Sequence, residues 1–355
     1  MDPILKEGDA AYRKGDYEAA RRSFEKAWQA TQETSANDPV RYDILKRLAS
    51  VHTSAGEFSE ADRYLQEALH WRETVLGAND VRIADDLLAA MNLYMAMKDF
   101  GRALAAIERV QTIHTAAFSS NSIPVADDLR RIAQVYLAQH KPGEAVQPLA
   151  AARDIRIKLT GPLDPGLLPI LDALCDAYNA MNRSGATAGF YRQALLIREA
   201  MYGRNSSELI STIDGLAKAC FERREYEEAE PLYKRLLSLW ENQIGKDHPM
   251  VAIVWDKLVV FYAEQKKLAQ AKEALARSVA VRQRFLAVGL SHQGGEARAE
   301  NDLAQARAFY LRALGVLEPG DADSREIRGQ IQKLLKELDA ASPSEGDRKA
   351  GAKPR

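Results

Sequence analysis

The sequence predicts an all-α fold, a solenoid of stacked antiparallel helix pairs. Three observations carry that prediction: a 42-residue period shared by unrelated residue classes, helical apolar spacing within each period, and glycine and proline punctuation between helices. A small residue recurs at Ala61, Ala103, Ala145, Thr187, Ala229 and Ala271, each 42 positions after the last. A mostly aromatic series in the same register runs through Tyr94, Tyr136, Tyr178 and Tyr262, with His52 and Cys220 in equivalent places. Leu48, Ile132, Leu174, Leu216 and Leu258 form a third series, with Ala90 as its weak member.

Each unit resolves into two helices. Leu45, Leu48, Ala49 and His52 follow i, i+3, i+4, i+7 in the first, and Phe58, Ala61, Leu65, Ala68 and Leu69 mark one face of the second. A turn falls between them at Gly56 and its counterparts Lys98, His140, Asn182, Arg224 and Lys266. Gly77, Gly161, Gly203 and Gly245 end the second helix, where a left-handed residue is cheapest as glycine, and Ser119 is the exception. Asp80, Pro124, Pro165, Ser207 and Pro249 then open the next first helix. One pair cannot bury both of its apolar faces, so neighbours must stack.

Seven pairs fit, at about 4–36, 38–78, 80–120, 124–162, 165–204, 207–246 and 249–290. The run Gly289 to Gly295 is expected to break the helix and form an irregular joint. Leu303, Ala306, Tyr310 and Ala313 repeat the second-helix pattern, but Ala306 follows Ala271 by 35 residues. Residues 296–340 are therefore expected to hold a degenerate eighth repeat and a capping helix striped by Ile327, Ile331, Leu334, Leu335 and Leu338. Residues 341–355, rich in Pro, Gly, Ser and charge, are expected to be disordered.

Composition narrows the function. The 355 residues include 49 Lys+Arg and 50 Asp+Glu, so neither nucleic acid nor an anionic membrane would attract the chain strongly. With 46% hydrophobic and 28% charged residues, it has the makings of a globular core. No apolar run approaches the roughly 18 residues that a membrane helix needs. The start, Met1 to Gly8, lacks the basic and apolar regions of a signal peptide, so the expectation is a soluble, cytoplasmic protein.

Candidate chemistry gives way to structural readings. Cys175 and Cys220 fall on first-helix core positions, and two thiols cannot build a four-ligand zinc site. His52 occupies an aromatic core position, and no histidine has a His or Cys at helical ligand spacing. Asp85-Asp86 and Asp127-Asp128 are 42 apart at equivalent helix starts, where the macrodipole favours a carboxylate. The run Ser184 to Gly189 lacks the Gly-Lys-Ser/Thr ending of a phosphate loop. No nucleophile, base and orienting group come together, and the expectation is a non-enzyme without catalytic residue, metal or cofactor.

The run from Gly15 through Tyr17, Ala20 and Phe24 to Ala27, and again Tyr226, Ala229 and Tyr233, resembles the tetratricopeptide repeat signature. The 42-residue period and the connector Ile244 to Ala252 are similar to the kinesin-light-chain-like branch of that family. The Asn that this branch carries in its first helices is replaced by Arg47, Ala89, Arg131, Ala173, Gly215 and Lys257, so only the scaffold is carried over. The resemblance implies a right-handed superhelix whose concave face, lined by first helices, binds a protein segment or a partner helix.

Its groove positions are Lys46, Leu88, Asn92, Met95, Arg130, Gln134 and Leu137 in the second to fourth repeats. In the fifth to seventh they are Asp172, Asp176, Asn179, Asp214, Lys218, Phe221 and Asp256. A basic-polar half followed by an acidic half would orient an extended ligand of opposite polarity. The expected function is a non-enzymatic protein–protein interaction scaffold. The alternatives are a regulatory sensor responding to a peptide or small ligand, and a structural subunit of a fixed complex.

Overall fold

A computed structural model describes residues 2–31 and 38–341. The expected disordered tail begins at Ala341, which ends the last helix, and its remaining residues 342–355 lie outside the described residues. Among the described residues there are sixteen α-helices and no strand. Contacts divide the chain into an N-terminal unit, Met1–Ile197, and a C-terminal unit, Arg198–Arg355.

In the N-terminal unit, first helices α1 (Asp2–Arg13), α3 (Pro39–Ser54), α5 (Ala84–Ala96), α7 (Ile123–Ala138) and α9 (Leu168–Ala180) alternate with second helices. Those are α2 (Tyr17–Ala30), α4 (Phe58–Leu76), α6 (Phe100–Phe118), α8 (Pro142–Thr160) and α10 (Ala188–Tyr202), the last of which carries the division between units. The C-terminal unit holds α11 (Ile210–Glu222), α12 (Tyr226–Ile244), α13 (Pro249–Glu264), α14 (Leu268–Ala299), α15 (Leu303–Val316) and α16 (Ser324–Ala341).

Local sequence explains the helix ends. Asp38, Asp80, Asp164, Ser206 and His248, at one repeating position, each accept a backbone N–H two residues on and so cap a first helix or the short 3-10 turn leading into it. Each first helix ends in a left-handed residue: Gly56, Lys98, His140, Asn182, Arg224 and Lys266 all have positive φ. The following amide turns back to the carbonyl of the aromatic-series residue, as Glu57 N–H to His52, Asp99 to Tyr94 and Lys267 to Tyr262. This is the Schellman closure, and it aims the chain into the antiparallel second helix.

The pairs are tied to one another by polar contacts that repeat with the period. Tyr94 of α5 donates its hydroxyl to Asp62 of α4 at 2.8 Å, and Tyr262 of α13 donates to Glu230 of α12 at 2.9 Å. Burial, reinforced by the bonded carboxylate, pushes both phenols up to about 12. Arg109, Gln193 and Arg235 reach back from second helices to the loop carbonyls of Ala78, Pro162 and Arg204.

One expectation is overturned. The run Gly289 to Gly295 does not break the helix, because α14 continues through it to Ala299. Gly294 is buried against the Tyr310 ring, which a Cβ there would approach to 2.6 Å. Gly8 stands to Phe24 in the same way in the first pair, at 2.4 Å. Gly294 is thus the small residue of a first helix, and α14 fuses the second helix of one pair to the first helix of the next. The spacing from Ala271 to Ala306 falls short of the period because the connector is missing. Each interior glycine costs about 1 kcal/mol of helix propensity, which the close packing of Tyr310 offsets.

The second-helix ends supply a test. Gly77, Gly161 and Gly245 sit at φ 89, 90 and 87 with extended ψ, a region essentially reserved for glycine. Ser119 adopts the same backbone, at φ 78 and ψ 161. Strain of roughly 1–3 kcal/mol, less 0.5–1 kcal/mol of glycine entropy, predicts that Ser119→Gly stabilises the fold by about 1 kcal/mol. Gly161→Ser, where a Cβ meets no atom within 4 Å, should destabilise it through the backbone alone. Urea midpoints of the two variants check both signs.

Candidate partner-binding face

Within each unit, first helices are laced by contacts about one period apart. In the N-terminal unit the Tyr12 hydroxyl meets Ser54 at 2.9 Å, Arg47 pairs with Asp9 at 2.9 Å and Lys46 with Asp86 at 3.1 Å. In the C-terminal unit Lys257 pairs with Asp214. None of the fourteen predicted groove residues is buried, and all lie on first helices. Lys46, Leu88, Asn92, Met95, Arg130, Gln134, Leu137, Asp172, Asp176 and Asn179 fall in the N-terminal unit, and Asp214, Lys218, Phe221 and Asp256 in the C-terminal one.

Their chemistry differs from what the bare residue types suggest. Lys46 is partly neutralised by Asp86 and lies 5.5 Å from the Tyr42 ring. Leu88 and Met95 are half-buried edges of the core. Asn179 donates to the Tyr191 hydroxyl at 3.3 Å. Phe221 packs about 6 Å from both Tyr226 and Phe261, so it belongs to an aromatic cluster. Asp214 is paired with Lys257, and Asp256 is held by Arg282 at 2.5 Å, which keeps its carboxyl below the ordinary range.

At two places the surroundings work against the ionised form. Arg130 on α7 is half-buried, and desolvation followed by the Arg131 charge disfavours its cationic form. On α9, desolvation and then the Asp172 charge push the Asp176 carboxyl up. A cavity of about 430 Å³ opens further along the same face, between α1 and α3. Asp9, Tyr12, Lys46, Arg47 and Ser50 line its rim, with Phe24 and Tyr42 deeper.

Sequence profiles of the tetratricopeptide repeat match residues 208–284 and 43–82. The chain carries tetratricopeptide repeats. Among solved structures, the C-terminal part of a tetratricopeptide-repeat protein from Cytophaga hutchinsonii is similar with a TM-score of 0.55 and 14% identity, over 78% of this chain and 95% of that one. The nearly identical TPR-like repeats of a Podospora anserina protein named for the kinesin light chain align with a TM-score of 0.50 and 18% identity, over 57% of this chain and 96% of that one. No curated protein matches. Tetratricopeptide repeats generally build protein–protein interaction scaffolds, typically without enzymatic activity, and neither profile indicates a catalytic family. No helix among the described residues is long and apolar enough to cross a membrane.

The acid pairs do more than complement a helix start. Asp86, in the first turn of α5, and Asp128 of α7 are both buried. Asp86 accepts the Tyr42 hydroxyl at 2.7 Å and lies 3.0 Å from the Arg72 guanidinium, while Asp128 meets His114 Nδ1 at 2.7 Å. Arg156 of the following second helix pairs with Asp127 and Asp164. Arg72, His114, Arg156 and Arg198 are each 42 apart, a series of nitrogen donors that composition counting passes over. Reading it against acids 14 residues later would have found both buried pairs. Cys220, Glu225 and Glu228 also bring ligand-type atoms within 4.8 Å of one another, a grouping that sequence spacing on one helix face does not reveal.

The tetratricopeptide frame therefore predicts a sharp contrast between neighbours. Asp86→Ala strands a buried phenol and a guanidinium and should cost about 3 kcal/mol. Asp85→Ala, on the exposed side of the same helix, should stay within about 0.5 kcal/mol. Urea denaturation followed by circular dichroism separates the two.

Proposed function

We propose that this protein is a non-enzymatic interaction scaffold that holds an extended peptide across the first helices of its N-terminal unit, with one acidic residue against Arg130 and one basic residue against Asp172 and Asp176. The observation that supports the reading is electrostatic. Arg130 and Asp176 occupy adjacent first helices. Partial burial and then Arg131 disfavour the charge of the first; desolvation by surrounding atoms and then Asp172 disfavour that of the second, although its side chain is exposed. Opposite charges from a ligand would relieve both at once, and this gives orientation and partner choice more than raw affinity.

The polarity expected from sequence is thereby confined. In the C-terminal unit Asp214 and Asp256 already have cationic partners, so a basic ligand gains less there. First helices packed about 10 Å apart correspond to about three residues of extended peptide. The two ligand charges should therefore be about three or four residues apart.

A peptide display screen against the whole protein should enrich such a motif. Arg130→Glu, and separately Asp172→Lys with Asp176→Lys, should each weaken the enriched peptide by about tenfold, or 1.4 kcal/mol. Enrichment unchanged by both variants would remove the reading. The pH dependence has a definite sign: the raised Asp176 carboxyl ionises later than an ordinary aspartate. Affinity for the basic residue should rise with pH through that raised value and then level off. Asp176→Asn should flatten the rise.

A further inference from the structure

The fused helix α14 leaves a face uncovered. Leu268, Leu275, Val279 and Leu286 follow spacings of seven, four and seven, which places them in one stripe. Leu275 is 50% exposed, whereas its period-equivalents Leu65, Ile107 and Leu149 are 5%, 0% and 0% exposed. Val279 is 41% exposed against 7% for its equivalent Leu69.

In the earlier pairs this face is covered by the next first helix. The covering helix is fixed by the bonds from Tyr94 of α5 to Asp62 of α4 and from Tyr262 of α13 to Glu230 of α12. It is fixed again where Arg72 of α4 meets Asp86 of α5. After α14 the next first helix is the continuation of the same rod, so it cannot fold back onto the stripe. Residues 342–355 contain no Leu, Ile, Val, Met or aromatic side chain with which to cover it.

We infer that this α14 face is a docking site for an amphipathic helix of a partner protein, with an apolar stripe flanked by carboxylates. The internal pairs show that a helix is what fits such a face. The charge follows from the tie points: Asp62 and Glu230 are replaced here by Lys272, and Arg72 and His114 by Arg282. Lys272 presents an ammonium to the incoming helix, while the half-exposed Arg282 guanidinium is shared with Asp256 of α13. A second copy of the chain is disfavoured, because antiparallel pairing of two α14 stripes about Arg277 sets Lys272 against the Arg282–Asp256 pair, whose carboxylate is already taken by Arg282 and Ser278.

The probe is a labelled peptide copying residues 81–97, the first helix that covers α4 in this chain, which carries Asp85 and Asp86 beside its apolar positions. Saturable binding to the whole protein is expected. It should weaken at least tenfold with Leu275→Asp in the protein and with Asp86→Lys in the peptide, and be unaffected by Arg130→Glu. That last arm keeps it apart from the first-helix face. Leu275 is half-exposed, so the variant should fold, with Leu275→Ser as a milder check by circular dichroism. No saturation by about 1 mM peptide, binding indifferent to Leu275→Asp, or a dimer that Leu275→Asp splits in sedimentation equilibrium would each overturn the proposal.

Discussion

A second helix in this fold has two apolar sides, and its own partner covers one of them. The other side can be hidden only by the first helix of the following pair, and most other features of the chain serve that requirement. The left-handed residue after each first helix reverses the chain tightly enough for the pair to close. The capped connector then delivers the next first helix to the open side. Tyrosine hydroxyls on Asp62 and Glu230 and the guanidinium of Arg72 on Asp86 pin it there. These polar ties are individually modest, but each satisfies a group that the apolar contact would otherwise bury unpaired.

The helix pairs and their joints were legible in the sequence because their causes are local. Turn residues such as Lys98 and His140 and capping residues such as Asp80 act within about five residues of themselves, so a period in the sequence becomes a period in space. Gly289 to Gly295 misled because glycine has two meanings: backbone freedom at a turn, and room for a neighbour inside a helix. Only the Tyr310 ring, from another helix, decides between them.

The accessibility of the proposed partner-binding residues was legible, but their charge was not. Every predicted groove residue is accessible, since that follows from helical phase. Their electrostatics depend on residues from other positions: Lys257 and Arg282 quench Asp214 and Asp256, while Arg131 and Asp172 aggravate Arg130 and Asp176. A residue column read alone counts formal charge, whereas a ligand meets the field left after such neighbours have acted.

The unbroken α14 also bears on how the C-terminal unit acquires its structure. Starting a helix is the unfavourable step, and extending one is not. At other joints a fresh nucleus must form beyond each connector, so neighbouring pairs can order separately. Along α14 a single nucleus serves two pairs, and order that begins near Leu268 passes without interruption to Gly294, where Tyr310 closes over it. The last two pairs of the chain therefore form and fray as one cooperative block.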